Sequence, residues 1–250
     1  MHQFSIAPLG GGALSGSAWQ ITNSALWMLI VCGCIVLFMW GGMKRALVPG
    51  RWQVAVEGLV DFVSGISVGN IGPEGRRFMP WIFTLFAFIL FANLIGMMPF
   101  GILPVAHPFT ITSQFTLTGI LAIISFGTVV IVGFARHGFK FFTLFIPHGT
   151  PLPLLPLIFL IELISFMVRP FSLALRLFVA MIAGHILMEV FASFIITGIH
   201  AGSAMGGAIS LLCFIFIVFM SALELLVCAI QAYIFALLTS LYLHDAIHLH

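Results

Sequence analysis

Charge is what this chain has least of. Asp, Glu, Lys and Arg make up 6% of its 250 residues, against about 25% in a soluble domain. Such a chain cannot cover a water-facing surface with polar groups, which excludes an ordinary soluble globular domain and leaves lipid as its solvent. Seven acids against nine bases give a formal net charge of +2. There is no basic patch and no RNA-binding motif, so nothing points to a nucleic-acid partner. Cysteine is scarce too. Cys32, Cys34, Cys213 and Cys228 all fall inside apolar runs, and no pair has the C-x2-C spacing of a zinc site, so they read as small lipid- or core-facing residues. Residues 1–24 hold no Lys or Arg, so the positively charged start of a cleavable signal peptide is missing.

What the chain has instead is apolar length. Hydrophobic residues make up 62% and the mean hydropathy is +1.24. Runs at about 22–43, 78–99 and 110–134 are each near the roughly 20 residues needed to cross a bilayer. Two longer runs follow, 157–197 and 207–243. Lys44, Arg45, Arg51, Arg76 and Arg77 lie between the first two runs, and Arg136 and Lys140 between the third and fourth. The N-terminal tail and the 100–109 and 198–206 loops have no Lys or Arg. The positive-inside rule then puts the N-terminus outside and, after five crossings, the C-terminus inside. Trp40, Trp52 and Trp81 fall near the inner interface, as aromatic belts do. Residues 52–66 separate Glu57 and Asp61 from Leu59, Phe62, Val63 and Ile66 at helical spacing, which predicts an amphipathic helix on the inner membrane face. The 198–206 stretch spaces Gly198, Gly202 and Gly206 four apart, a helix-packing pattern. With His200 and Ser203 between them, it reads as a Gly-rich outer loop.

Taken as single helices, the two long runs would span about 62 Å and about 56 Å, roughly twice the hydrocarbon thickness. No polar loop divides either, so both read as steeply tilted helices packed as a hairpin, with Pro170 bending the first. Their polar residues are ordered. Glu162, Arg169 and Arg176 are seven apart, about 20° short of two full turns per step, and form one stripe. His185 lies nine residues beyond Arg176 and points the opposite way, with Glu189 four residues further on. Glu224 and Gln231 share a stripe on the second helix. Each residue alone has a plainer reading: Arg169 snorkelling to headgroups with Glu162 as its partner, His185 in an interhelical hydrogen bond, Glu189 at the outer interface. Together they do not, because each intramembrane ionisable group costs about 2.5–3.5 kcal/mol even on the lenient insertion scale. Such a cluster implies water-accessible cavities and ion movement. His and Glu can pass protons. A guanidinium cannot lose its proton, so Arg176 reads as a barrier between two proton paths and a counter-charge for a partner's mobile carboxylate.

Three stretches, PLIFLIELISFMVRPFSLALRLFVAMIAGH (156–185), LELLVCAIQAYIFALLTSLYLHDA (223–246) and FANLIGMMP (91–99), closely resemble subunit a of the F-type ATP synthases. The arrangement is similar to the mitochondrial and alphaproteobacterial members. The likeness covers most of the chain after residue 20. It implies an all-α integral membrane protein: a spanning helix, an inner-face amphipathic helix, a spanning hairpin and a long tilted hairpin. It also implies a non-catalytic, proton-translocating stator subunit beside a rotating ring of c subunits, each with an essential carboxylate. Peripheral-stalk b-type subunits and the rest of the ATP synthase are the further partners, and no cofactor is needed. By this resemblance Arg176 is the ring-facing arginine, Gln231 a glutamine near it, His185 and Glu224 the outer half-channel pair, and Glu162 an acid of the inner half-channel. Ala180 departs from the family, where asparagine is frequent. The implied location is a bacterial inner membrane or the mitochondrial inner membrane. The chain has no phosphate loop of the GxxxxGKS or GxxxxGKT type, so it has no nucleotide site of that kind.

Two other classes bear on the same residues. A secondary transporter places charges at mid-membrane but is built from internal repeats and broken helices, and no repeat is visible here. A metalloenzyme would draw on His185, His200, His244, His248 and His250, yet no HExxH-type set occurs.

Overall fold

The computed structural model describes residues 23–43, 50–97, 114–145, 154–200 and 202–248. The N-terminal tail, Lys44, Arg45 and the 100–109 loop lie outside these residues. Every regular element described is helical: α1 (Asn23–Gly42), α2 (Arg51–Ile71), α3 (Gly75–Met97), α4 (Phe115–His137), a 3-10 helix (Gly138–Phe145), α5 (Leu155–His200) and α6 (Ala204–Ile247). An apolar chain in lipid has no water to satisfy its peptide groups, so it closes its hydrogen bonds within each segment.

The long hairpin is longer than its apolar runs. α5 has 46 residues, continuous through Pro170, and α6 has 44, so they extend about 69 Å and about 66 Å. The loop expected over 198–206 is corrected: α5 reaches His200 and α6 begins at Ala204. Ser203 caps α6, its hydroxyl accepting from the Gly206 N–H at 3.1 Å. The glycines allow a close helix crossing instead. A Cβ on Gly198 would run into the Ser210 hydroxyl and stand 2.7 Å from the Gly206 carbonyl oxygen, and Ser210 Oγ donates across to the Ile195 carbonyl at 3.1 Å. The packing reading therefore holds for Gly198 and Gly206, while Gly202, at φ 60° with open space around it, lies in the turn between the helices.

The helix expected over 52–66 extends to Ile71. Its polar C-terminal turns are held by tertiary partners, Ser67 Oγ donating to the Gly75 carbonyl at 2.8 Å and Asn70 Nδ2 to Ser240 Oγ at 2.8 Å. Gly72, at φ 87°, turns the chain into α3. Six described helices, α2 included, are long and apolar enough to cross a membrane by length and composition, where the sequence reading counts five crossings and one interfacial helix.

The core gathers Val63 from α2, Ile82 and Ile89 from α3, Val129 from α4, Leu177 from α5 and Phe235 from α6. A smaller cluster pins α1 to α3 through Trp27, Val31, Ala92 and Ile95. At one end of the bundle, Arg136 of α4 pairs with Glu74 of the α2–α3 turn, and His137 Nε2 sits 3.0 Å from the Ile247 carbonyl of α6. The hydrogen bond from Arg136 holds the Glu74 carboxyl below the usual carboxylate range. Cys32 is exposed, Cys34 partly so, and Cys213 and Cys228 are buried, all as free thiols, matching the plain reading of the cysteines.

Candidate functional site

The polar residues of the two long helices fall into two groups. In the first, Arg169 of α5 is half-buried and faces Glu162 Oε1 at 3.6 Å and Asp245 Oδ2 of α6 at 3.9 Å. Its guanidinium also lies 5.2 Å from the centre of the Tyr242 ring. Ser165, Arg169, Ser172 and Arg176 of α5, with Leu238 and Tyr242 of α6, line a cavity of about 270 Å³. Arg169 thus has an internal partner set, and Glu162 is indeed beside it. Arg176 differs. It is exposed, makes no ion pair or hydrogen bond among the described residues, and shares its open face with Ser165 and Ser172 of the same cavity, flanked by exposed Val168 and Val179. A full charge without a counter-ion is costly in lipid.

In the second group, Glu224 is 4% exposed. Its Oε1 is 3.9 Å from His185 Nε2, and neither carboxyl oxygen has a hydrogen-bond partner among the described residues. The carboxyl occupies the space left by Gly184, where a Cβ would stand 2.6 Å from Glu224 Oε1. Ala180, Ala183 and Gly184 of α5, with Met220, Leu223 and Glu224 of α6, line a cavity of about 250 Å³. Ala180 therefore adds apolar wall one turn from Arg176, where a polar side chain would have narrowed the gap to Glu224. Glu189 is exposed and acts on His185, one turn back on α5, through its charge. Gln231 is half-buried and no hydrogen bond joins it to Arg176 among the described residues.

Between the two groups lies a layer of sulfur. The Cys228 thiol points at Met97 Sδ of α3 (3.3 Å) and Met181 Sδ of α5 (3.7 Å). Asp245, Tyr242 and Gly184 are the residues that sequence reasoning passed over. Asp245 continues the seven-residue series Glu224, Gln231, Leu238, Asp245, a spacing that places it on the Glu224 stripe but does not say which residue of α5 it meets.

These features define an all-α integral membrane protein whose two longest helices carry ionisable groups at two separate cavities. The chain belongs to the ATP synthase A chain family: the family model matches residues 25–244. It is similar to the ATP synthase subunit a of Sphingopyxis alaskensis, with 59% identity over 252 residues, covering 100% of this chain and 96% of the relative. That of Rhizorhabdus wittichii is 60% identical with the same coverage. That of Rhodospirillum rubrum is 42% identical over 251 residues, covering 100% and 98%.

Proposed function

We propose that this chain is the non-catalytic, proton-translocating stator subunit of a rotary ATP synthase. In this reading protons pass from outside through a half-channel served by His185 and Glu224 to a carboxylate on a rotating c-ring. The neutral carboxyl turns through lipid and releases its proton to an inner half-channel served by Glu162, with Arg169 and Asp245 beside it. Arg176, supported by Gln231, separates the two paths. Peripheral-stalk b-type subunits hold the chain still. The membrane is a bacterial inner membrane, with the N-terminus outside, the C-terminus inside and α2 on the inner face, where Arg51, Glu57 and Asp61 are all exposed.

The observation that carries the reading is the exposed Arg176, without an ion-pair partner among the described residues, lining one cavity while the buried Glu224 lines a second beyond it. A deprotonated ring carboxylate supplies the missing counter-charge. A protonated one does not need it and can leave. The test is isolation of the membrane complex through a tag on this chain. A ring of small hairpin subunits should come with it, and head-stripped vesicles should lose at least about tenfold in passive proton flux on Glu224→Gln. Absence of the ring, or unchanged flux, would remove the basis for the proposal.

Two further outcomes are expected. Gly184→Val should cut passive flux about tenfold, an effect of about 1.4 kcal/mol on the barrier, while Ala183→Val, one residue away, has a smaller effect. The reason is the overlap of the new Cβ with Glu224. Flux assays on both variants check it, and equal effects would count against a specific Gly184–Glu224 fit. In an image of the intact complex, α5 and α6 should lie far from the membrane normal, because about 69 Å of helix must fit a core of about 30 Å. Axes within about 30° of the normal would show the length to be accommodated another way.

A further inference from the structure

Asn93 of α3 is 0% exposed, and neither its carbonyl oxygen nor its amide nitrogen has a hydrogen-bond partner among the described residues. An amide offers two donors and an acceptor, and buried polar groups in native proteins are nearly always satisfied. Packing gains nothing from the amide, since an apolar side chain in its place would bury no polar atoms.

Its place in the fold suggests what the amide is for. The Met97–Cys228 and Met181–Cys228 contacts fix the register of α3, α5 and α6 at the sulfur layer. α3 starts near Ser240, through Ser67 and Asn70, and ends at Cys228, so it runs antiparallel to α6. One turn back along α3 from Met97 is Asn93. One turn onward along α6 from Cys228 are Gln231 and the fully buried Ala232. One turn back along α5 from Met181 are Leu177 and Arg176. Asn93 is therefore level with Gln231 and Arg176, while Glu224 and His185 lie on the other side of the sulfur layer. Glu224 and Gln231 are seven residues apart, about 10.5 Å along the helix, too far for one proton transfer. A thiol and two thioethers are weak hydrogen-bonding groups and a poor relay.

We propose that Asn93 is a further residue of the proton path, binding water through its amide on the α3 side of the sulfur layer, level with Gln231 and Arg176. This rests on the proton-translocating reading above. Water held there takes about three hydrogen bonds and gives the proton a route past Cys228 from Glu224 towards the ring.

The experiment uses inner-membrane vesicles holding the complete complex, assayed for ATP-driven proton pumping and, after removal of the catalytic head, for passive proton flux. Asn93→Leu should assemble with unchanged or higher thermal stability and lose at least about tenfold in flux. Asn93→Ser, which keeps a hydroxyl for water, should retain several times the flux of Asn93→Leu. A purely structural role predicts the opposite, a leucine variant less stable than the parent that keeps full flux once assembled. Flux within twofold of the parent overturns the proposal. Glu224→Gln is run beside it: if that variant loses flux and Asn93→Leu does not, only the role of Asn93 fails, and if neither loses flux the proton-path reading fails too. Should Asn93→Leu not assemble, Asn93→Cys in a background with the four native cysteines replaced by alanine decides the matter. Silver ion should then cut its flux at least fivefold and leave Ile89→Cys, equally buried one turn away, unaffected. Silver without effect on Asn93→Cys, or with the same effect on Ile89→Cys, overturns the proposal.

Discussion

Arg176→Ala should abolish proton-driven ATP synthesis and, in head-stripped vesicles, raise passive proton flux above that of the parent. On the proposed reading, the first effect follows from loss of the charge that would draw a ring carboxylate into its deprotonated state. The second follows because, without a fixed charge between the two cavities, a ring carboxyl can shuttle between them without turning the ring. Arg176→Lys keeps a charge but loses the planar fork and the reach, and an ammonium deprotonates when desolvated as a guanidinium does not. It should abolish synthesis nearly as completely while leaking less. The two measurements are synthesis in intact vesicles and passive flux in stripped ones. If Arg176→Ala changes neither, the charge is structural, and the face that carries Arg176 must meet something other than a carboxylate-bearing ring.

His185 and Glu224 face each other at 3.9 Å with nearly all of both side chains buried. Each is costly in lipid alone, which makes the pair the unit of function. His185→Ala and Glu224→Ala should each reduce synthesis by about tenfold or more. The exchange His185→Glu with Glu224→His keeps one acid and one imidazole in the same gap and should recover at least about threefold over the worse single variant. A double exchange no better than the worse single variant means that the two side chains act independently.

The seven-residue spacing of Glu162, Arg169 and Arg176 was readable because a helix returns to nearly the same face every two turns. The structure does put Glu162 and Arg169 together. Asp245 was not readable in the same way. Its meeting with Arg169 depends on the antiparallel register of α5 and α6, which the periodicity of one helix does not contain, and it lies past the end of the apolar run. Gly184 is a similar case, since the absence of a side chain does not announce which carboxyl will fill the gap. The last turns of α2 were missed because Ser67, Gly69 and Asn70 are poor helix formers on their own. They are helical through bonds to Gly75 and Ser240, so tertiary contacts override local preference there. The ends of the Gly198–Gly206 stretch were misread for the reverse reason, though Gly202 is in a turn as expected: small residues that look like a loop are also what two helix backbones need in order to touch.

That touching point has a mechanical consequence. A part that stands beside a turning rotor must resist the sideways load of every step, and a long rod fixed at one end bends far more readily than one fixed at both. The hairpin of α5 and α6 is fastened at one end by the Gly198–Gly206–Ser210 crossing, and at the other by the Arg169–Asp245 bridge and the His137 contact to Ile247. Force applied near Arg176 is therefore shared between two anchorages, and the helix pair behaves as a beam clamped at both ends, which bends less under a given load than one held at one end.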